Sequence, residues 1–165
     1  TLMVWVTRIC DPFFLASATA LVALLLFLRK RPYEALLLVA TMIVAVALLT
    51  VLKNTFQITR PGSDIYNADG WSFPSGHATV ATAFFFAMAH TFFYKMKTAG
   101  QKTLLILGSV LGVTIICFSR LYLGAHWTLD ILAGISLGFL SVSFTALVFS
   151  LVLGDKRSFK SRINL

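Results

Sequence analysis

ALLLVATMIVAVALLTVL, running from Ala35 to Leu52, is a stretch of eighteen residues without a charge, and Lys53 closes it. A helix needs about 20 apolar residues to cross a hydrocarbon core of about 30 Å. The stretch lacks the period-two alternation of a membrane strand and is about twice the length of one, so it reads as a membrane helix.

Four further apolar runs flank it. Phe13 to Leu28 precedes it and is closed by Arg29-Lys30-Arg31-Pro32. Ala78 to Tyr94, Thr103 to Phe118 and Thr128 to Leu153 follow. The run from 103 is short and needs burial against its neighbours or a slight extension at each end. The expectation is an all-α integral-membrane bundle with five transmembrane helices, forming a single domain over residues 1–165. Gly108-Ser109-Val110-Leu111-Gly112 and Gly134-Ile135-Ser136-Leu137-Gly138 place small residues four apart, which lets helices approach closely. Residues 1–11 mix apolar and polar groups, among them Trp5, Arg8 and Asp11, and read as an interfacial segment or the end of an earlier helix. Between 60 and 74, Pro61, Gly62, Asp69-Gly70 and Pro74 mark turns, and Tyr66 and Trp71 suit the headgroup region. The first apolar run lacks the basic leader and small-residue cleavage site of a signal peptide.

Composition agrees. Of 165 residues, 58% are hydrophobic and 12% charged, against about 45–50% and about 25% in soluble domains. The mean hydropathy is +0.87. Such a chain is too apolar for disorder and has too few polar residues to cover a water-soluble globule. Cys10 and Cys117 show no metal or disulfide spacing and read as free thiols, the second inside an apolar helix.

The net charge of +8 needs a location. Five helices sort the loops into two sets. Residues 29–34, 95–102 and the tail 154–165 carry ten of the fourteen cations, with Glu34 and Asp155, and so hold the whole excess of +8. The other side has Arg8, Lys53, Arg60 and Arg120 against Asp11, Asp64, Asp69 and Asp130, a net of zero. The positive-inside rule makes the first side cytoplasmic, with the tail a basic cytoplasmic segment. Cations spread over short loops with no reading motif give no support to nucleic acid as a partner; attraction to anionic lipids would coexist with the topology signal.

The neutral side carries the chemistry. Singly, its residues have ordinary readings: Lys53, Arg60 and Arg120 as snorkelling anchors, His77 as a helix-end group, His126 as an interfacial histidine. Asp130 is different, because an acid one turn inside an apolar segment costs about 2.5–3.5 kcal/mol unless it faces a partner or cavity. It lies four residues after His126, on the same helix face, where a carboxylate can take the imidazole N–H. Together the set reads as a phosphate site. Lys53, Arg60 and Arg120 supply positive charge, and Ser75 and Gly76 open a helix whose N-terminal N–H groups favour an anion. His126, backed by Asp130, is the candidate nucleophile, and His77 the candidate acid for the leaving oxygen. The acids are scattered, and two histidines without close carboxylate partners make a weak metal site, so no cofactor or metal is expected.

The pattern Lys53-x6-Arg60-Pro61, Pro74-Ser75-Gly76-His77 and Ser119-Arg120-x5-His126-x3-Asp130 resembles the three signature motifs of the type 2 phosphatidic acid phosphatase family, relatives of the vanadium haloperoxidases. The resemblance implies His126 as nucleophile, Asp130 as its orienting partner, His77 as acid, and Lys53, Arg60, Ser75, Gly76 and Arg120 as phosphate ligands. It implies metal-independent dephosphorylation of a lipid phosphate or pyrophosphate through a phosphohistidine at the outer membrane face. Undecaprenyl pyrophosphate, phosphatidylglycerol phosphate and phosphatidic acid are the candidate substrates, with a bacterial inner membrane as the setting. Family members usually resemble a six-helix bundle, so a sixth helix is expected before Thr1. The competing reading is a non-enzymatic lipid-phosphate binding or transport protein, which would need no oriented nucleophile.

Overall fold

The computed structural model describes residues 2–62 and 69–152. Asp64, Tyr66 and the basic tail 154–165 lie outside the described residues. Among the described residues six helices follow one another: α1 (Leu2–Ile9), α2 (Pro12–Leu28), α3 (Pro32–Phe56), α4 (Gly76–Phe93), α5 (Ala99–Tyr122) and α6 (Thr128–Val152). No strand occurs among the described residues.

Local chemistry sets the boundaries. Proline opens α2 and α3, where its missing N–H costs nothing. The Asp11 carboxylate caps α2 through Phe13 N at 2.8 Å. Thr98 and Gln101 form a reciprocal capping box that starts α5 four residues before the apolar run, and α5 continues four residues past it. This supplies the extension that the short run required.

Helices α3, α5 and α6 are long and apolar enough to cross a membrane. Residues Leu2–Arg8 and Pro12–Leu28 are apolar enough only as a pair, bent by 46° where they meet, the shape of a broken span or of a re-entrant loop. Helix α4 does not qualify by composition, because His77, Thr79, Thr82, His90 and Thr91 dilute its apolar residues. It sits instead in the middle of the bundle, in contact with α2, α3, α5 and α6. Ala78, Ala81, Ala83 and Ala87 are completely buried there, so protein rather than lipid surrounds much of its length.

Small residues bring α6 onto α4. A Cβ at Gly134 would lie 2.8 Å from Ala78 Cβ and Ser75 O, and one at Gly138 would lie 2.5 Å from Thr82 Cβ. The α5 glycines behave differently. Gly112 makes room for the Phe85 ring, whereas Gly108 faces open space, so the expected close approach through both is corrected to Gly112 alone. Outward, α3, α5 and α6 expose Leu36, Ile43, Leu107, Leu111, Leu132 and Phe144, an apolar surface suited to lipid.

The ends of the bundle differ in charge chemistry. At one end Arg31 pairs with Glu34 at 3.1 Å, Lys95 approaches the same carboxylate at 3.8 Å, and Arg31 stacks over Phe92. At the other, the segments after α3, before α4 and between α5 and α6 converge.

Candidate active site

Each of these segments delivers specific side chains. Lys53 lies in the last turn of α3, which stops at Gln57 in the left-handed conformation. Its Nζ donates to Trp71 O at 2.5 Å. Arg60 follows in the irregular segment after α3 and ties two loops together. Its Nε donates to Gly70 O at 3.0 Å and its Nη2 to Asp69 O at 2.9 Å. Its Nη1 donates to Ala125 O at 2.7 Å and lies 3.2 Å from His126 Nε2.

His126 arrives on the tight connection between α5 and α6. That turn needs Gly124, whose φ of +61° is unfavourable for side-chain-bearing residues. The imidazole is buried, and its Nδ1 lies 3.4 Å from Asp130 Oδ2. The same carboxylate oxygen accepts from Trp127 N at 2.8 Å and from the Ser72 hydroxyl, which itself lies 3.4 Å from His126 Nδ1. A carboxylate beside Nδ1 favours the tautomer with the proton there, leaving the Nε2 lone pair directed at Arg60. Burial holds the imidazole well below its usual protonation range, and the charges of Arg60, Arg120 and Lys53 push it further down. His126 is thus neutral at pH 7, with Nε2 available for attack.

Ser75 caps α4, its hydroxyl accepting from Ala78 N at 3.4 Å, while its own N–H donates to Asp130 O at 3.0 Å. That bond locks the start of α4 to the start of α6. Gly76 and His77 open the helix, where backbone N–H groups lack partners within the helix. His77 lies with Nε2 3.9 Å from Asp11 Oδ2 at the α1–α2 corner. It therefore has a carboxylate neighbour that its place in the chain does not suggest. Arg120, in the last turn of α5, is 2% exposed, and its Nη1 donates to Thr7 Oγ1 at 2.7 Å.

Direct contacts thus join Arg60, His126, Asp130 and Ser75, and Lys53 and Arg60 share the Trp71 carbonyl, the latter at 3.4 Å. His77 and Arg120 are held from the α1 side, and the charge of Arg120 acts on His126. Ser72 and Thr7 escaped the sequence reading, which placed Asp11 on this side of the bundle but not in the site. Asp11 before Pro12 carries a helix-cap signal; Ser72 in a turn-rich loop and Thr7 in an apolar helix carry none. Among the described residues, no three His, Cys, Asp or Glu side chains group as a metal site. Cys10 and Cys117 are free thiols.

An oriented imidazole beside clustered cations, at one end of a helical membrane bundle, is an arrangement suited to phosphate chemistry. The PAP2 superfamily profile matches residues 34–153, and the chain belongs to that superfamily. It is 29% identical over 141 residues to phosphatidylglycerophosphatase B of Bacillus subtilis, covering 84% of this chain and 69% of that protein. It is 30% identical over 152 residues to an undecaprenyl-diphosphatase of Sulfolobus acidocaldarius, covering 86% and 68%. The crystal structure of a PAP2-type phosphatidylglycerolphosphate phosphatase from Bacillus subtilis superposes with a TM-score of 0.82 over 92% of this chain and 76% of that one; at 23% identity this is a likeness of fold. Aquifex aeolicus LpxE superposes with a TM-score of 0.61 at 26% identity, covering 88% and 85%.

Proposed function

We propose that this phosphatase hydrolyses a lipid phosphate or pyrophosphate through a phosphohistidine at His126. The observation that carries the reading is the His126 geometry: Nδ1 toward Asp130, Nε2 toward the Arg60 guanidinium. In the first step the Nε2 lone pair forms a bond to phosphorus as the bond from phosphorus to the leaving oxygen breaks. His77 gives that oxygen a proton. Asp130 offsets the positive charge that the phosphorylated imidazole acquires, its bonds from Trp127 and Ser72 keeping it in place. In the second step water attacks phosphorus, His77 takes the water's proton, and the P–N bond returns its electrons to Nε2. Lys53, Arg60, Arg120 and the α4 N-terminus with Ser75 and Gly76 hold the phosphoryl oxygens; preorganised positive charge is the main requirement of this chemistry.

The names of the two relatives make phosphatidylglycerol phosphate and undecaprenyl pyrophosphate the first substrates to assay, with phosphatidic acid third. Helices α3, α5 and α6, the bent α1–α2 pair and the interior α4, if each crosses the membrane, support an extracytoplasmic site and a cytoplasmic basic tail under the positive-inside rule. Phosphate release from the three lipids is the test, with EDTA present and vanadate as inhibitor. His126→Ala is expected to abolish turnover, and rapid quenching of the active protein to trap phosphohistidine. Turnover that EDTA stops, or that survives His126→Ala, contradicts the mechanism. A protein that only binds or moves lipid phosphate would yield no covalent intermediate.

A further inference from the structure

We propose that Thr7 of α1 is a positioning residue for Arg120, its hydroxyl holding the guanidinium in the orientation that grips the substrate's phosphate. The inference rests on the reading of Arg120 as a phosphate ligand. The two residues are 113 positions apart, yet Thr7 Oγ1 accepts from Arg120 Nη1 at 2.7 Å. Thr7 is 1% exposed and Arg120 2%.

The choice of partner has a physical logic. A guanidinium that must receive an anion has to be held still before the anion arrives. A carboxylate would hold it, but would also neutralise its charge and compete with the phosphate. A hydroxyl accepts one N–H and leaves the charge intact. The bond also sets Thr7 apart from other helical threonines of this chain. Thr19, Thr41, Thr50, Thr55, Thr79 and Thr114 each donate to the carbonyl four residues earlier on their own helix. Thr7 accepts from a different helix. Threonine is suited to this, since β-branching limits χ1 in a helix to two main rotamers and so leaves Oγ1 few places to lie.

The α1–α2 segment thereby becomes part of the site from outside the motif-bearing stretch. Four residues after Thr7, Asp11 Oδ2 stands 3.9 Å from His77 Nε2 while Oδ1 caps α2. That cap lies at the corner between α1 and α2, and α1 packs against α5.

The test uses the full chain in detergent, with vanadate as the probe of the phosphate pocket and initial rates on a short-chain lipid phosphate. Thr7→Val keeps the shape and removes the acceptor. It is expected to weaken vanadate inhibition roughly ten-fold, in line with loss of a charge-assisted bond. Thr7→Ser is expected to restore most of the affinity. In an Arg120→Ala background Thr7→Val should add less than about two-fold, because the group it positions is gone. An equal loss in both backgrounds would mark Thr7 as structural and overturn the proposal, as would unchanged inhibition in Thr7→Val. Unchanged inhibition in Arg120→Ala overturns both this inference and the phosphate-ligand reading; a loss in Arg120→Ala with none in Thr7→Val overturns the Thr7 role alone. Thr7→Ala makes the same comparison if valine impairs folding, monitored by gel filtration.

Discussion

At the residue scale the site is a set of side chains whose usual tendencies are overridden by their neighbours. Asp130 is 2% exposed and would be costly unpaired, but one of its carboxylate oxygens draws on Trp127 N, Ser72 and His126. Ser72→Ala removes one of these donors and frees the carboxylate to turn. It is expected to lower kcat about ten-fold while leaving KM within about two-fold, a tenfold change corresponding to about 1.4 kcal/mol; steady-state kinetics on a lipid phosphate reads the split, and a rise in KM with unchanged kcat would count against an orienting role. In the proposed mechanism His77 serves the leaving group. His77→Ala should therefore slow cleavage of an alkyl phosphate by roughly 10²–10⁴-fold, and much less for a leaving group that departs without a proton. Rates on a dialkylglycerol phosphate and on p-nitrophenyl phosphate make the comparison, and equal losses on both would remove His77 from the acid role. The motif residues were readable from sequence, because residue type and spacing alone carry that chemistry. Ser72 was not, since its importance comes from an oxygen contributed 58 positions later.

At the element scale, the start of α4 is where fold and site meet. Ser75 caps α4, and its N–H reaches Asp130 O, so the helix that carries His77 is registered against the helix that carries Asp130. Gly134 and Gly138 permit that closeness. Gly138→Val would drive a side chain into Thr82 Cβ and Thr79 O, which lie 2.5 and 2.8 Å from even a single added Cβ. The backbone oxygen cannot rotate away, so the cost should be about 1–3 kcal/mol or more. Thermal unfolding in detergent should show a lower midpoint, together with loss of activity as α4 and α6 separate. Gly108→Val, whose position faces open space, is the control and should leave the midpoint unchanged. Sequence reading located both pairs of glycines by their spacing. Which member of the first pair faces a neighbour is a matter of helix rotation, and spacing does not carry it.

At the scale of the whole molecule, charge asymmetry and site position form one arrangement. Arg31, Glu34 and Lys95 meet at one end, and Lys53, Arg60, His126 and Asp130 at the other. In a variant with Cys10 and Cys117 replaced by serine, a membrane-impermeant maleimide applied to intact cells should label Ile58→Cys and spare Lys97→Cys until the membrane is opened. The opposite pattern would place the site in the cytoplasm. The sequence by itself determined the helical membrane class, the apolar runs, the charge asymmetry and the three motifs, because these depend on composition and on spacing along the chain. Only the tertiary structure decided that α4 lies in the interior, where neighbouring helices surround its polar residues. It alone brought Thr7 to Arg120, Asp11 to His77 and Ser72 to Asp130. Those contacts arise from how helices rotate and cross, and residues so distant in the chain leave no local pattern by which to find them.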